Sequence, residues 1–330
     1  MQRAQYATRG PVPQDVIECV EFTLPAPGGG QALIEVLASP INPSDVLTLT
    51  GQYGMLPPLP AVGGNEGIGR VAAVGDGVTL PVGQRVLLPV GAGTWTTHLL
   101  ADAASLTPLP DVGDAQQLSM VTVNPPTASL LLSEFMPLQP GDWVIQNTAN
   151  SAVGRYLIQL AKRRGVRTVN VVRRSDAVAS LEALGGDVVL VDGPDLGERV
   201  AAATGKVKIR LGIDASGGSA TDRIARSVAI GGTVVNYGAM SGEACKIAPA
   251  SFVFRDVTLR GFWLAFWFRK ASAEQRRALF GEIVQLVAEG ALSTPVAATY
   301  PVSRIKEAVA AAAAGGRDGK ILIVPALPEG

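Results

Sequence analysis

The sequence predicts an α/β protein of two domains, a strand-rich coiled β domain and a second domain built on a doubly wound parallel sheet. The chain has 330 residues, which exceeds the usual size of one domain. Short apolar runs separated by Gly, Pro and Asn occupy residues 31–110, a pattern typical of strands. From Trp143 onward, apolar strands alternate with segments of helical period. Such alternation indicates a parallel sheet covered by helices on both faces.

The elements of the alternating part follow from its periodicity. The predicted strands are residues 142–147, 168–172, 188–191, 209–214, 233–237 and 257–261. The predicted helices are residues 152–164, 177–184, 196–204, 220–229 and 273–289. A strand at residues 320–324 suggests that the tail completes the first domain. We therefore expect one domain from residues 1–120 and 295–330, and a nucleotide-binding domain from residues 121–294.

Composition and charge restrict the possible partners. Hydrophobic residues make up 47% of the chain, and the 28 basic residues equal the 28 acidic ones. A chain without net charge has no general attraction for polyanions, so nucleic acid is not an expected partner. The longest uncharged stretch, residues 115–133, contains two prolines and several polar side chains, which argues against a membrane span.

The cysteines and the first residues predict a cytoplasmic location. Cys19 and Cys245 are the only cysteines and lie far apart in sequence, which is typical of a reducing compartment. Residues 1–15 contain neither the apolar core of a signal peptide nor an amphipathic presequence.

The first strand-to-helix turn of the alternating part predicts a dinucleotide site. Residues 146–154 have the sequence QNTANSAVG, in which Gly154 is the one remaining glycine of the usual three-glycine fingerprint. Ala149, Ser151 and Ala152 are small enough for a pyrophosphate to approach the amides at the helix N-terminus. A purely structural turn is the alternative interpretation.

The end of the next strand indicates which dinucleotide is bound. About 20 residues beyond the fingerprint, NAD enzymes offer a carboxylate to the ribose, whereas NADP enzymes offer cations to the 2′-phosphate. Here the strand ends in Arg173, Arg174 and Ser175. Two guanidiniums and a hydroxyl fit a phosphate, so NADPH is predicted over NADH. The alternative is a solvated strand end.

Residues suited to metal or acid–base chemistry are few. His98 is the only histidine, and zinc needs several Cys, His or acidic ligands, so no metal is predicted and His98 is expected to be structural. Tyr53 lies in a loop between Gly51 and Gly54 and could donate a proton to a reacting group. Alternatively, it is a loop tyrosine that packs on the surface.

Nine motifs occur in order between Asn42 and Leu264: NPSD, GQYG, LPAVGGNEGIGRVAAVG, GTW, VNPPTA, QPGDWVIQNTANSAVG, NVVRR, NYGAM and GFWL. Together they resemble the 2-enoyl thioester reductases, the mitochondrial enoyl-ACP/enoyl-CoA reductase branch of the medium-chain dehydrogenase/reductase superfamily. The resemblance implies a GroES-like β domain, a Rossmann domain, a homodimer and a role in fatty acid metabolism. It places Asn65 where zinc enzymes of the superfamily have a metal-binding histidine.

The resemblance also implies roles for individual residues. It implies Tyr53 as the proton donor. The implied cofactor-site residues are Asn124; Ser151, Ala152, Val153 and Gly154 at the pyrophosphate; Arg173, Arg174 and Ser175 at the 2′-phosphate; Tyr237, Gly238, Ala239, Met240, Phe262, Trp263, Leu264 and Ala265 along the nicotinamide and substrate; and Lys320. Two departures stand out, since Ser175 replaces a second, spaced arginine and residues 265–268 are unusually aromatic. Alternating aromatics at a sheet edge would also suit a dimer interface.

The implied reaction is reduction of a trans-2-enoyl thioester bound between the domains. NADPH would deliver hydride to C3, and Tyr53, or water that it orders, would protonate C2. A quinone or enone reductase on the same scaffold is one alternative. A non-catalytic NADPH-binding protein is the other.

Overall fold

The computed structural model describes residues 1–326, which divide into two compact units. The first unit comprises residues 1–123 together with the chain from Glu282 onward, and the second comprises residues 124–281. The chain thus enters the second unit close to the expected position 121. It returns to the first unit at Glu282, inside a helix, earlier than the expected position 295.

The N-terminal part of the first unit is mostly β. Its strands are β1 (Gln2–Tyr6), β2 (Ile17–Glu21), β3 (Gln31–Ile41), β4 (Ala61–Val62), β5 (Ile68–Val74), β6 (Arg85–Leu87), β7 (His98–Asp102) and β8 (Thr107–Pro108). Its helices are α1 (Pro43–Thr50) and α2 (Ala115–Leu118). In β3, alternate residues from Ala32 to Ala38 are fully buried, because successive side chains of a strand point to opposite faces.

The second unit is the doubly wound domain. Its strands are β9 (Trp143–Gln146), β10 (Arg167–Val172), β11 (Val188–Val191), β12 (Leu211–Asp214), β13 (Thr233–Asn236) and β14 (Thr258–Gly261). Its helices are α3 (Asn124–Leu131), α4 (Ala152–Arg163), α5 (Val178–Leu184), α6 (Leu196–Thr204), α7 (Gly218–Ser227), α8 (Pro249–Val253) and α9 (Leu264–Lys270).

The six strands of the second unit form one parallel sheet in the order β11-β10-β9-β12-β13-β14. The order reverses between β9 and β12. Ligands of doubly wound sheets bind beyond the carboxyl ends of the strands at such a reversal. A ligand site is therefore expected at the turns after β9 and β12.

The aromatic segment after β14 is helical, which corrects the expectation of a sheet edge. β14 ends at Gly261, and α9 begins three residues later. Trp263 and Phe266 are three residues apart, and their rings meet edge-on with centroids 4.9 Å apart. Helical spacing brings residues i and i+3 together, whereas a strand would direct them to opposite faces.

The C-terminal part of the chain returns to the first unit. It contains α10 (Ala273–Ala288), β15 (Val296–Tyr300), α11 (Ile305–Ala313) and β16 (Lys320–Ile323). β16 pairs antiparallel with β3 and parallel with β15, and extends the larger sheet to β15-β16-β3-β5-β6-β8, with β7 also paired to β3. A smaller sheet has the order β2-β1-β4.

The second half of α10 explains why the unit boundary lies within a helix. Its residues Ile283, Leu286 and Val287 are buried. Just beyond it, the side-chain amide of Gln117 bonds both the carbonyl and the amide of Thr294, at 3.0 and 3.1 Å. These contacts attach the helix end to the first unit. None of the helices within residues 1–326 has the length and apolar character needed to cross a membrane.

Candidate active site

Tyr53 follows directly on the C-terminus of α1 in the first unit. The helix begins with Pro43 after Asn42, whose backbone N–H donates to the Asp45 carboxylate at 2.7 Å. It ends at Gly51, which has a φ of 79° and so takes the left-handed conformation that favours glycine. The Tyr53 N–H donates to the Leu47 carbonyl at 3.1 Å. The half-buried tyrosine is thus held by a capped helix end.

Six polar side chains form a buried group beside α1, here called the Asn42 cluster. They are Asn42, Asp45, Asn65, Glu66, Thr122 and Lys320. Asn42 is central, because its amide N–H donates to Glu66 at 2.7 Å and its amide oxygen accepts from the Lys320 ammonium. Asn65 donates to Asp45 at 2.6 Å, and the Thr122 hydroxyl donates to Glu66 at 2.8 Å.

Burial shifts the protonation equilibria of this cluster. Desolvation raises the pKa of Asp45 to about 7, although the Asn42 N–H and the Lys320 charge oppose the shift. Desolvation likewise raises the pKa of Glu66, against hydrogen bonds from Asn42 and Thr122. The pKa of Lys320 is lowered to about 8 by burial, with both carboxylates opposing. The charges of Asp45 and Lys320 are therefore sensitive to pH near neutrality.

The structure places Lys320 inside this cluster, with only 5% of its surface exposed. Its ammonium donates to the Ile41 carbonyl at 3.0 Å and to Asn42. An ammonium has three N–H groups. Two of these N–H groups donate hydrogen bonds within residues 1–326, so the third could donate to a ligand.

The position of Asn65 does not fit a zinc ligand. Its side-chain nitrogen is a hydrogen-bond donor to Asp45, whereas zinc ligands in proteins are thiolates, imidazoles and carboxylates. Within the described residues, no three His, Cys, Asp or Glu side chains are grouped so that they could hold a metal ion.

The turn between β9 and α4 holds the predicted pyrophosphate residues of the second unit. Ser151 is the N-cap of α4, and its hydroxyl accepts from the Gly154 N–H at 3.1 Å. A Cβ added to Gly154 would lie 2.4 Å from the Ala149 carbonyl oxygen, so a side chain there would push the turn away from the helix. Ala152 and Val153 complete the first turn of this twelve-residue helix. The N-terminus of a helix favours an anion.

Asp214 connects this turn to the ends of the adjacent strands, at the point where the strand order reverses. The carboxylate is fully buried at the end of β12. Its five donors, here called the Asp214 cluster, are the side chains of Asn147, Thr221 and Asn236 and the backbone N–H groups of Ser216 and Gly217, at 2.6 to 3.1 Å. Asn147 follows β9 and Asn236 ends β13, so one carboxylate joins the ends of three adjacent strands.

Thr148, the residue after Asn147, takes an unusual backbone conformation. Its φ is 51°, which is uncommon for a β-branched residue. Its hydroxyl lies 2.7 Å from the Ser216 hydroxyl. The Asp214 cluster and this contact hold a turn that the missing glycines would otherwise form without strain.

The predicted 2′-phosphate residues are exposed in the loop after β10. Arg173, Arg174 and Ser175 all face solvent, and a short 3-10 turn begins at Ser175. Arg174 pairs with Asp176 at 2.9 Å. Exposed pairs of this kind contribute about 0–1 kcal/mol, so little free energy opposes a move of Arg174 toward a phosphate.

The remaining predicted residues lie after β13 and β14. Burial raises the pKa of Tyr237, and the nearby Asp214 charge adds to the effect while a hydrogen bond with Ser151 opposes it. That contact joins Tyr237 to the pyrophosphate turn. Gly238 is half-buried, whereas Ala239 and Met240 are exposed. Phe262 packs edge-on against Phe135 with ring centroids 5.8 Å apart.

Trp263 is the N-cap of α9, and Leu264 and Ala265 begin that helix. Asn124 is buried at the start of α3. These predicted residues thus lie at the starts of α3 and α9 in the second unit. Tyr53 and Lys320 belong to the first unit.

The sequence analysis did not find Asp214, Asn147 or Asn236. A signal was present, because three predicted strands end in Asn or Asp or close to one, and the carboxyl ends of parallel strands lie along one edge. Asp45 and Glu66 were also missed, and no local pattern distinguishes them from surface acids.

The two-unit fold, the Asn42 cluster beside Tyr53 and the turn before α4 together define a two-domain, dinucleotide-dependent oxidoreductase. Two family profiles agree: the alcohol dehydrogenase GroES-like domain matches residues 28–111, and the zinc-binding dehydrogenase domain matches residues 152–279.

Curated relatives identify the branch. The mitochondrial enoyl-[acyl-carrier-protein] reductase of Homo sapiens is 36% identical over 91% of this chain and 82% of its own, and that of Bos taurus is 36% identical over 88% and 80%. A solved complex of Etr1p with NADP and crotonyl-CoA superposes with a TM-score of 0.88 at 28% identity, over 98% of this chain and 99% of the other. The chain belongs to the 2-enoyl thioester reductases of the medium-chain dehydrogenase/reductase superfamily.

This membership confirms the predicted family, fold class, reaction class and NADPH as cofactor. The predicted cytoplasmic location is wrong by the same comparison, because these relatives are named mitochondrial enzymes. The prediction rested on two cysteines in a reducing environment, and reduced thiols do not distinguish one reducing compartment from another.

Proposed function

We propose that the protein reduces the C2=C3 double bond of trans-2-enoyl thioesters with NADPH. The observation that supports this most directly is the similarity, over nearly the whole chain, to a structure solved with NADP and crotonyl-CoA. The relatives are named for enoyl groups on acyl carrier protein, and that complex contains a coenzyme A thioester. We therefore propose the thioester, rather than either carrier, as the recognised group.

The residues of the second unit fit a phosphorylated dinucleotide. We propose that residues 151–154 bind the pyrophosphate, because Gly154 keeps the turn close and the N-terminus of a helix favours an anion. Residues 173–175 would take the 2′-phosphate. Residues 237–240 and 262–265 would line the nicotinamide and the substrate, and Asn124 and Lys320 would be further cofactor contacts.

The chain's own chemical step is proton delivery. NADPH supplies hydride to C3 when bound. Reduction at C3 leaves negative charge on the thioester oxygen and C2, and a donor aimed at that charge stabilises the transition state. We propose that the Tyr53 hydroxyl, or water that it orders, donates the proton to C2. The capped end of α1 would hold the phenol in place during this step.

Replacement of Tyr53 by Phe tests this role. We expect turnover of crotonyl-CoA to fall by a factor on the order of 10², as loss of a positioned proton donor usually causes. NADPH binding should not change. The matched control is Tyr300→Phe, which alters a half-buried tyrosine of β15 that contacts Arg304. Equal turnover in Tyr53→Phe and wild type would exclude Tyr53 from proton transfer.

A quinone or enone acceptor is the second candidate. A protein of Bacillus thuringiensis assigned as an NADPH:quinone reductase superposes with a TM-score of 0.88 at 28% identity, over 98% of both chains. NADPH oxidation measured across C4 to C16 enoyl-CoAs and a quinone panel distinguishes the two. Oxidation with quinones alone would favour the second candidate. NADPH binding without oxidation in the presence of any of these acceptors would indicate a non-catalytic NADPH-binding protein.

We further propose that the protein is a homodimer joined at the β14 edge. Among the strands of residues 1–326, β14 pairs with β13 alone, and open edges of this kind are usually covered. Near it, Phe254 and Ile230 are 79% and 75% exposed. Light scattering should give twice the chain mass of 34.1 kDa, and Phe254→Lys should shift the population toward the monomer. A monomeric wild type would contradict this.

A further inference from the structure

Arg155 is a buried arginine in the first turns of α4, with 4% of its surface exposed. Its guanidinium contacts the turn before α4 and the first turns of α5. The Nε–H lies 3.4 Å from the Asn150 carbonyl, and Nη2 donates to the Ser180 hydroxyl at 3.2 Å. The Ser180 hydroxyl in turn donates to the Ala177 carbonyl at 3.0 Å. One side chain therefore joins the turn before α4 to the segment after β10.

Both contacts lie next to segments assigned above to the cofactor. The Asn150 turn continues into Ser151 and Gly154, at the proposed pyrophosphate position, and α5 follows the loop of Arg173 and Arg174, at the proposed 2′-phosphate position. A guanidinium is planar and rigid and has five donors, so it can fix the separation of two backbone segments better than a lysine could. Arg173 and Arg174 are exposed to solvent, whereas Arg155 is buried between the two segments.

A buried cation also changes the electrostatics of the site. Its field decays slowly in a medium of low dielectric constant, so an anion nearby gains more from it than from a solvated arginine.

We propose that Arg155 is a positioning residue that sets the preference for NADPH over NADH. It does so by holding residues 173–180 in register with the pyrophosphate turn. The inference rests on the cofactor placement given under the proposed function. It concerns nucleotide binding alone, so it holds or fails whatever acceptor the enzyme reduces.

The experiment measures the dissociation constants of NADPH and NADH by fluorescence titration of the full chain, without any acceptor. Arg155→Met should weaken NADPH about 10-fold, which corresponds to about 1.4 kcal/mol. It should weaken NADH no more than about 2-fold, so that the preference falls about 5-fold. Arg155→Lys keeps the charge but cannot join both loops, so an intermediate preference is expected. The matched control is Arg163→Met at the exposed end of the same helix, which should leave both constants unchanged.

Ser180→Ala tests the bond between Arg155 and α5 without removing the packing of Arg155 itself. It also provides a second test if Arg155→Met does not fold. It removes the link to the loop but leaves the arginine in place, and it should lower the preference about 2- to 3-fold. Equal weakening of NADPH and NADH in Arg155→Met would mean that Arg155 only packs the helix. An unchanged preference in Ser180→Ala would overturn the proposal as well.

Discussion

Each unit contains a buried polar cluster with carboxylate, but the two clusters stabilise their charge differently. Asp214 accepts hydrogen bonds from five donors, all of them uncharged amides or a hydroxyl. In the Asn42 cluster, two carboxylates and an ammonium share one buried region. Asn42 links them, through its backbone N–H to Asp45 and through its side-chain amide to Glu66 and Lys320. The Asp214 cluster joins the ends of three strands, whereas the Asn42 cluster holds several ionisable groups close together.

The difference matters because the two arrangements respond differently to their surroundings. The donors around Asp214 are neutral amides and a hydroxyl. The Asn42 cluster has an acid with a pKa of about 7 and a base with a pKa of about 8. Its net charge therefore changes near neutral pH. We infer that the Asn42 cluster makes the first unit sensitive to pH.

Removal of the Asp214 carboxylate should have the largest effect. Asp214→Ala removes the carboxylate that five donors share, although the Asn236 amide keeps its bond to the Gly238 carbonyl. We expect the free energy of unfolding to fall by about 3–5 kcal/mol, as when one partner of a buried charged contact is deleted. Urea unfolding followed by circular dichroism measures this, together with loss of NADPH binding.

Asp195→Ala is the matched control, because its carboxylate pairs with Arg199 on an exposed surface of the same unit. Solvent screens an exposed pair of this kind, so the stability of the control should remain close to that of wild type. Similar stabilities for the two variants would mean that Asp214 does not hold the strand ends together.

Asp45→Asn should have a smaller effect, visible in the pH dependence of stability. Between the ordinary value of 3.8 and the folded value of about 7, the native state keeps a proton that the unfolded state releases. Stability from this group is therefore complete below pH 4 and is lost as pH rises to 7, by up to about 1.4 kcal/mol per pH unit. The variant should lack this loss.

The measurement is the free energy of unfolding of both proteins at several values between pH 4 and 8. Only the slope is compared, since the variant also changes hydrogen bonds to Asn42 and Asn65. For Lys320 the sign is opposite, because a lowered folded pKa makes stability rise between pH 8 and 10.5. Equal slopes for wild type and Asp45→Asn between pH 4 and 7 would show that Asp45 is already ionised there.

The second unit was predictable from sequence, because its signals are local. The observed α6 and β11 have the predicted bounds, and β10 differs by one residue. Strand-helix alternation repeats over short distances, and each crossover has its own turn residues. The same holds for the cap of α4, where Ser151 and Gly154 are three residues apart and in direct contact.

The first unit was less predictable, because its organisation depends on distant contacts. Lys320 and Asn42 are 278 residues apart, and no pattern along the chain joins them. α9 was missed for a different reason, since alternating aromatics fit a strand and a helix equally well over seven residues. The Asp214 cluster lies between these cases, because its members end strands that were predicted individually.

Lys320 also has a consequence for the order in which the protein forms during translation. The second unit is complete in sequence at Gly281, whereas β16 must leave the ribosome before Asn42 can acquire its ammonium partner. Domains generally fold as their chains emerge, from the N-terminus onward. In this protein the first residues to be synthesised can complete their contacts only after the last strand has been synthesised. We therefore expect the second unit to fold before the first is complete.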